Sequence, residues 1–224
     1  MKADVRKRLG IAFQREVQVR FPDRARGTAA QEGALFRDEV EHQSHLWEQT
    51  SGGNEAPAVQ MQKAVQEEFD LGSAPMTHMG DSDAPNDIQR AYVRAEYNQT
   101  QRFLKEQGLD SVSVYRGVHD LPLTAGAQTV DMQPASSWTT DLDRAMQFGY
   151  DMSFRLPVRA TVLTTRVPRA RVLSTAVTGR GAVNEGEVIL LGGPLDVTAY
   201  PLSAGEERDA AFAQWAARIR ADER

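Results

Sequence analysis

Apolar residues recur at helical spacing through the first half of the chain and give way to short β-rich runs beyond residue 108. Val5, Leu9, Ala12, Phe13 and Val17 predict a first helix. A basic connector, Arg24-Ala25-Arg26-Gly27, follows it. Phe36, Val40 and Trp47 predict a second helix, which Ser51-Gly52-Gly53-Asn54 should end. Met61, Val65 and Phe69 predict a third, closed by Gly72. Residues 73–86, rich in proline and short polar residues, read as a loop. Ile88, Tyr92, Ala95 and Phe103 then predict a long helix over 88–107, with Pro85 in its first turn and Gly108 past its end.

Residues 112–115, 158–162, 171–174, 187–191 and 197–200 are the β-rich runs, interrupted by one short helix near 142–148. Ser203-Ala204-Gly205-Glu206 has the form of a capping box. It introduces a last helix with the apolar stripe Phe212, Trp215, Ala216 and Ile219. Helices first, then strands without regular alternation, predict an α+β fold rather than a doubly wound sheet.

Composition narrows the function classes. The chain has 224 residues, 41% of them hydrophobic and 25% charged, as a soluble domain with a real core would have. A net charge of -5 argues against a protein that coats a polyanion with its whole surface. With no cysteine, disulfides, thiolate chemistry and cysteine-based zinc sites are excluded. His42, His45, His78 and His119 show no ligand spacing, so no metal is expected. The start of the chain, Met1 to Arg8, leads into no long apolar stretch, and no signal peptide is expected. No run approaches the ~18 apolar residues of a spanning helix, and no membrane span is expected.

Three segments carry candidate chemistry. The first is Glu185-Gly186-Glu187, followed by the apolar run Val188 to Leu191. If a strand begins there, residues i and i+2 point to one face, and two like charges side by side are costly unless they have work to do. The second is Tyr115-Arg116-Gly117, where an arginine sits inside a β-rich run and glycine permits close approach to the backbone. The third is Ser137-Trp138-Thr139, ahead of Ala145 and Phe148.

In this order the segments resemble the Arg–Ser–Glu class of mono-ADP-ribosyltransferases, which includes binary clostridial toxins and arginine-modifying ecto-enzymes. Tyr115-Arg116-Gly117 resembles the family's arginine strand, Ser137-Trp138-Thr139 its Ser-Thr-Ser segment, and Glu185-Gly186-Glu187 its Glu-x-Glu signature. The resemblance spans roughly residues 85–200, and the ordered set is more specific than any one motif. It implies two packed antiparallel sheets enclosing an NAD cleft, after N-terminal helices and before a C-terminal helix. The expected division is an extension over 1–28 and a transferase domain over 29–224. Within that domain lie a helical part (29–110), a strand-rich NAD-binding core (111–202) and the last helix (203–222). NAD is the implied co-substrate, with no metal.

The resemblance also assigns roles. Arg116 would hold phosphate or ribose oxygens with a planar cationic fork. Ser137 would orient Glu187, which would stabilise the cation that builds on the ribose as nicotinamide leaves. Glu185 would take a proton from the acceptor. Tyr115, Gly117, Thr139, Tyr150, Phe154 and Arg155 complete the expected NAD contacts. Thr178, Arg180 and Glu185 would meet the acceptor, because residues 175–184 precede the two glutamates as the family's acceptor-facing loop does. Glutamate at 185 favours a protein arginine as acceptor. A nucleic acid is the alternative, because the loop lacks an aromatic residue. In addition, Arg155, Arg159, Arg166, Arg169, Arg171 and Arg180 form a stretch free of acidic residues. Such enzymes serve as toxins, phage effectors or defence factors acting in the cytoplasm, with an antitoxin or immunity protein as a further partner.

Blander readings stand beside these. The glutamates can be solvated residues at a strand mouth, Arg116 an ion-pair residue, and Ser137 and Thr139 helix caps. Tyr150 and Phe154 can be packing residues. The arginine stretch can be a solvated face, and the first 28 residues can dock a partner or pack on the core. A non-catalytic NAD-fold module is the remaining alternative to an enzyme.

Overall fold

A computed structural model describes residues 3–22, 38, 40–42, 56–72, 87–119, 123–151, 160–180, 185–201 and 208–222. The helices are α1 (Ala3–Arg20), α2 (Ala56–Glu68), α3 (Asp87–Glu106), α4 (Leu142–Asp151) and α5 (Arg208–Asp222). The strands are β1 (Ser111–His119), β2 (Gly126–Thr139), β3 (Ala160–Pro168), β4 (Val172–Thr175) and β5 (Glu187–Pro201). Residues 38 and 40–42 are helical, within the expected second helix. Phe36, Trp47, the loop 73–86 and the capping box 203–206 lie outside the described residues. Among the described residues no helix is long and apolar enough to cross a membrane.

The fold is mixed, with helices and an antiparallel sheet, and it ends in a helix. The sheet order is β2-β1-β3-β5-β4, and β2 also pairs with β5. Four strands therefore close into a ring, and β4 hangs on β5. The two face-to-face sheets expected from the sequence are here one continuous ladder. The reason lies in two long, bent strands. β2 and β5 pair along most of their length, with a register shift between Met132 and Ala135. A strand bent by a bulge can pass from one layer to the next. Opposite that bulge, a Cβ on Gly192 would fall 2.0 Å from the Gln133 carbonyl oxygen, so only glycine fits.

β5 explains its own apolar run. Val188 and Leu190 belong to the cluster inside the ring, with Val114, Trp138 and Leu163. Ile189 and Leu191 point outward and join Leu9, Phe13, Met61, Val65 and Tyr92 from α1, α2 and α3. A strand covered on both faces reads as a continuous hydrophobic run rather than an alternating one. Each such buried side chain contributes about 1.5–3 kcal/mol. α1 therefore packs in the same cluster as the strand that enters the glutamate segment. On the far side, Ala145 and Met146 of α4 and Trp215 and Ile219 of α5 cover Ala160, Val162 and Tyr200.

The helix ends follow local chemistry. α3 closes where Leu109 N–H donates to the Leu104 carbonyl and Gly108 N–H to that of Lys105, with Gly108 at φ 69°. α2 ends differently from expectation: the left-handed position directly after it is Asp70, φ 50°, and Gly72 follows at φ 56°.

Candidate active site

β1 and β2 meet in a single registered pair, Tyr115 with Thr139. At this seam the ladder gives way to side-chain bonds. The Arg116 guanidinium donates to the Ser137 carbonyl at 2.9 Å. The Ser137 hydroxyl donates to Glu187 Oε1 at 2.6 Å. Three strands thus bring a cation, a hydroxyl and a carboxylate to one point, although the residues stand 21 and 50 positions apart. Ser137 is exposed, and Glu187 is half-buried at the mouth of β5. Arg116 is partly buried, and the surrounding protein displaces water from its guanidinium. That desolvation lowers its pKa, and the Glu187 charge offsets part of the effect. An arginine starts so far above neutral that it remains a cation.

Glu185 reaches the same place by a different route from the one the sequence suggested. The strand begins at Glu187, so strand alternation does not align the two acids. Glu185 sits on a turn, and Gly186 takes φ 58° to connect it to the strand. A Cβ on Gly186 would lie 2.9 Å from Thr140 Oγ1. The turn is tied to the end of β2: the Thr139 hydroxyl donates to the Glu185 carbonyl at 2.5 Å, and Thr140 N–H to the Gly186 carbonyl at 3.1 Å. Thr139 Oγ1 also accepts from Asp141 N–H, and the Asp141 carboxylate accepts from the N–H groups of Asp143 and Arg144 at the start of α4. Burial pushes the Glu185 carboxyl above its ordinary range, the neighbouring Glu187 charge pushes it further, and Arg144 pulls it back. A carboxylate with a raised pKa beside a second carboxylate is a stronger proton acceptor than an ordinary glutamate.

Two expected acceptor contacts are corrected. Thr178 and Arg180 do not face outward but are 1% exposed. The Thr178 hydroxyl meets that of Thr100 on α3 at 2.7 Å. Arg180 donates to Glu96 from its backbone N–H at 2.6 Å and from its guanidinium at 2.8 and 2.5 Å. A charge so enclosed needs a partner, and Glu96 supplies one. Burial alone would lower the Arg180 pKa, but Glu96 chiefly, with Tyr92 and Glu187, holds it above the usual value.

Gly117 and the tyrosines have packing partners in this fold. A Cβ on Gly117 would fall 2.1 Å from the Ala145 carbonyl oxygen and 2.2 Å from Gly149 N, so what approaches this backbone is helix α4. Tyr115 and Tyr150 pack against the cluster beneath α4 and α5, and Tyr150 meets Phe212 edge-on at 5.8 Å. Phe154, Arg155 and Arg159 lie outside the described residues. In the arginine stretch, Arg166 donates to Ser111, Arg169 pairs with Asp110, and Arg171 donates to the Pro194 carbonyl.

Sequence reasoning missed Glu96 and Arg144. Glu96 carried a signal: it lies one helical turn beyond Tyr92, on the buried stripe of α3. Arg144 carried none beyond its place in the first turn of α4. Comparison with protein-family models, curated proteins and solved structures gives no match.

Proposed function

We propose that the protein transfers ADP-ribose from NAD to an acceptor, releasing nicotinamide. The observation that carries this reading is the chain Arg116–Ser137–Glu187 at the seam, with Glu185 beside it. The residues suit a dinucleotide with a pyrophosphate and a cationic leaving group. Arg116 is a permanent fork-shaped cation. Glu187, which accepts from the Ser137 hydroxyl, would stabilise an oxocarbenium-like ribose and grip a ribose hydroxyl. We read the bent ring as the two-layer core of the Arg–Ser–Glu transferases, with the seam as its cleft.

The reaction breaks the bond between ribose C1′ and the nicotinamide nitrogen, whose electron pair stays with the departing neutral ring. The acceptor nitrogen forms a new bond to C1′ and loses a proton to Glu185, which passes it to water. A protein arginine is the favoured acceptor. The nucleic-acid alternative is the weaker one, because Arg180 is buried and Arg169 is paired. The setting as toxin, effector or defence factor follows only from the resemblance.

The test is nicotinamide release from NAD, with and without a small guanidine as acceptor. Glu187→Gln should lose both hydrolysis and transfer, by about 10²–10⁴ in rate. Glu185→Gln should lose transfer to the guanidine yet keep much of the hydrolysis. A wild-type protein that releases no nicotinamide at enzyme excess refutes the reading.

A further inference from the structure

We infer that Glu96 and Arg180 are a positioning pair that fixes Glu187 from the side of helix α3. The rate readout rests on the function proposed above; the structural readout does not. The turn over residues 175–180 is bonded on two sides. Toward the site, Ala176 N–H donates to the backbone carbonyl of Glu187 itself at 3.0 Å. Toward α3, Glu96 accepts three bonds from Arg180, and Gln99 donates to the Thr178 carbonyl at 3.0 Å. Inside the turn, Thr175 N–H donates to the Thr178 hydroxyl, and the Ser174 hydroxyl donates to the Arg180 carbonyl.

Packing makes this link specific. A Cβ on Gly179 would come 2.3 Å from Glu96 Oε1, so the carboxylate is pressed against the turn's backbone. Glu96 and Arg180 are both fully buried. Replacing a buried ion pair with apolar residues is often neutral for stability, so such a pair is poorly explained by stability alone. Removing one partner is a different matter, because the other charge is left stranded in the interior.

The test uses Glu96→Gln and the double variant Glu96→Leu/Arg180→Met, which removes both charges together. Amide hydrogen exchange reads the Ala176 N–H that holds Glu187, with the β1–β3 ladder as internal control. Exchange at Ala176 should rise by about tenfold or more while the ladder is unchanged, corresponding to roughly 1.4 kcal/mol of lost local protection. In the same folded variants kcat for NAD hydrolysis should fall at least about tenfold, with KM unchanged, as expected when a transition-state contact is misplaced. Unchanged Ala176 exchange in a folded variant overturns the inference. So does raised exchange with wild-type kcat, and so does unfolding of both variants, which makes the pair purely structural. A wild-type protein without hydrolase activity refutes the proposed function alone, and the exchange result still decides the positioning.

Discussion

Ser137→Ala isolates the bond that orients Glu187. The substitution deletes the hydroxyl and nothing else: the Ser137 carbonyl remains to receive Arg116, and the backbone pairing with Ile189 stays. The lost bond is 2.6 Å long and ends on a carboxylate, so it belongs to the stronger, charge-assisted kind. Such bonds contribute about 1.5–3 kcal/mol, and because Ser137 is exposed the lower part of that range applies, about 1.5–2 kcal/mol. If that energy is expressed in the transition state, kcat for nicotinamide release falls about 10–30-fold. KM should stay within twofold or so, since the proposed phosphate contact of Arg116 does not involve the Ser137 hydroxyl. Adding Glu187→Gln should make the double variant no slower than Glu187→Gln alone, because both changes remove one interaction. Additive losses, or a Ser137→Ala effect confined to KM, would refute the claim that the hydroxyl works through Glu187.

Other tests reach different parts of the structure. If Glu185 is the base, as proposed, the rate of transfer to a guanidine should fall as pH drops through a value above the ordinary glutamate range, because its pKa is raised. Arg144→Ala should move that limb to higher pH; a limb that stays put in a pH–rate profile speaks against Arg144 as its neighbour. Gly117→Ala forces a methyl into the backbone of α4, and differential scanning calorimetry should show a loss of about 3 kcal/mol, or a Tm lower by about 6–12 °C. Glu68 is held below its ordinary pKa by Arg20 and Arg94, which outweigh its burial. Its contribution is therefore complete above about pH 4.5 and is lost as pH falls through the lowered folded-state value. Thermal melts of Glu68→Gln should accordingly show a shallower acid decline than those of wild type.

Much of this molecule was legible in its residue pattern. The stripe of α3 and the glycine that ends it, the Trp215–Ile219 face of α5, and β4 all lie within a residue or two of their expected places. β2 was invisible, because its first half is exposed on alternate residues and its second half carries Gln133, Pro134 and serines in place of β-branched residues. The runs at 187–191 and 197–200 looked separate because Gly192, Gly193 and Pro194 read as a break. In the fold they are the bend of one long strand. The site residues were legible as types, since an arginine in a strand and paired acids are conspicuous. Their geometry was not. The backbone of Gly186, not strand alternation, brings Glu185 into place, and the burial of Arg180 depends on Glu96, 84 positions away.

The one-pair seam sets one joint of the ring apart from the others. Elsewhere in the ring, separating two strands means breaking many rungs: β1 and β3 share nine registered pairs. Between β1 and β2 the gap is spanned by a rung and a guanidinium. Backbone pairing thus contributes least at this joint, and Val114 of β1 and Trp138 of β2, which share one apolar cluster, carry more of the join there. On the proposed function, NAD would meet the ring at the joint that depends least on ladder bonds.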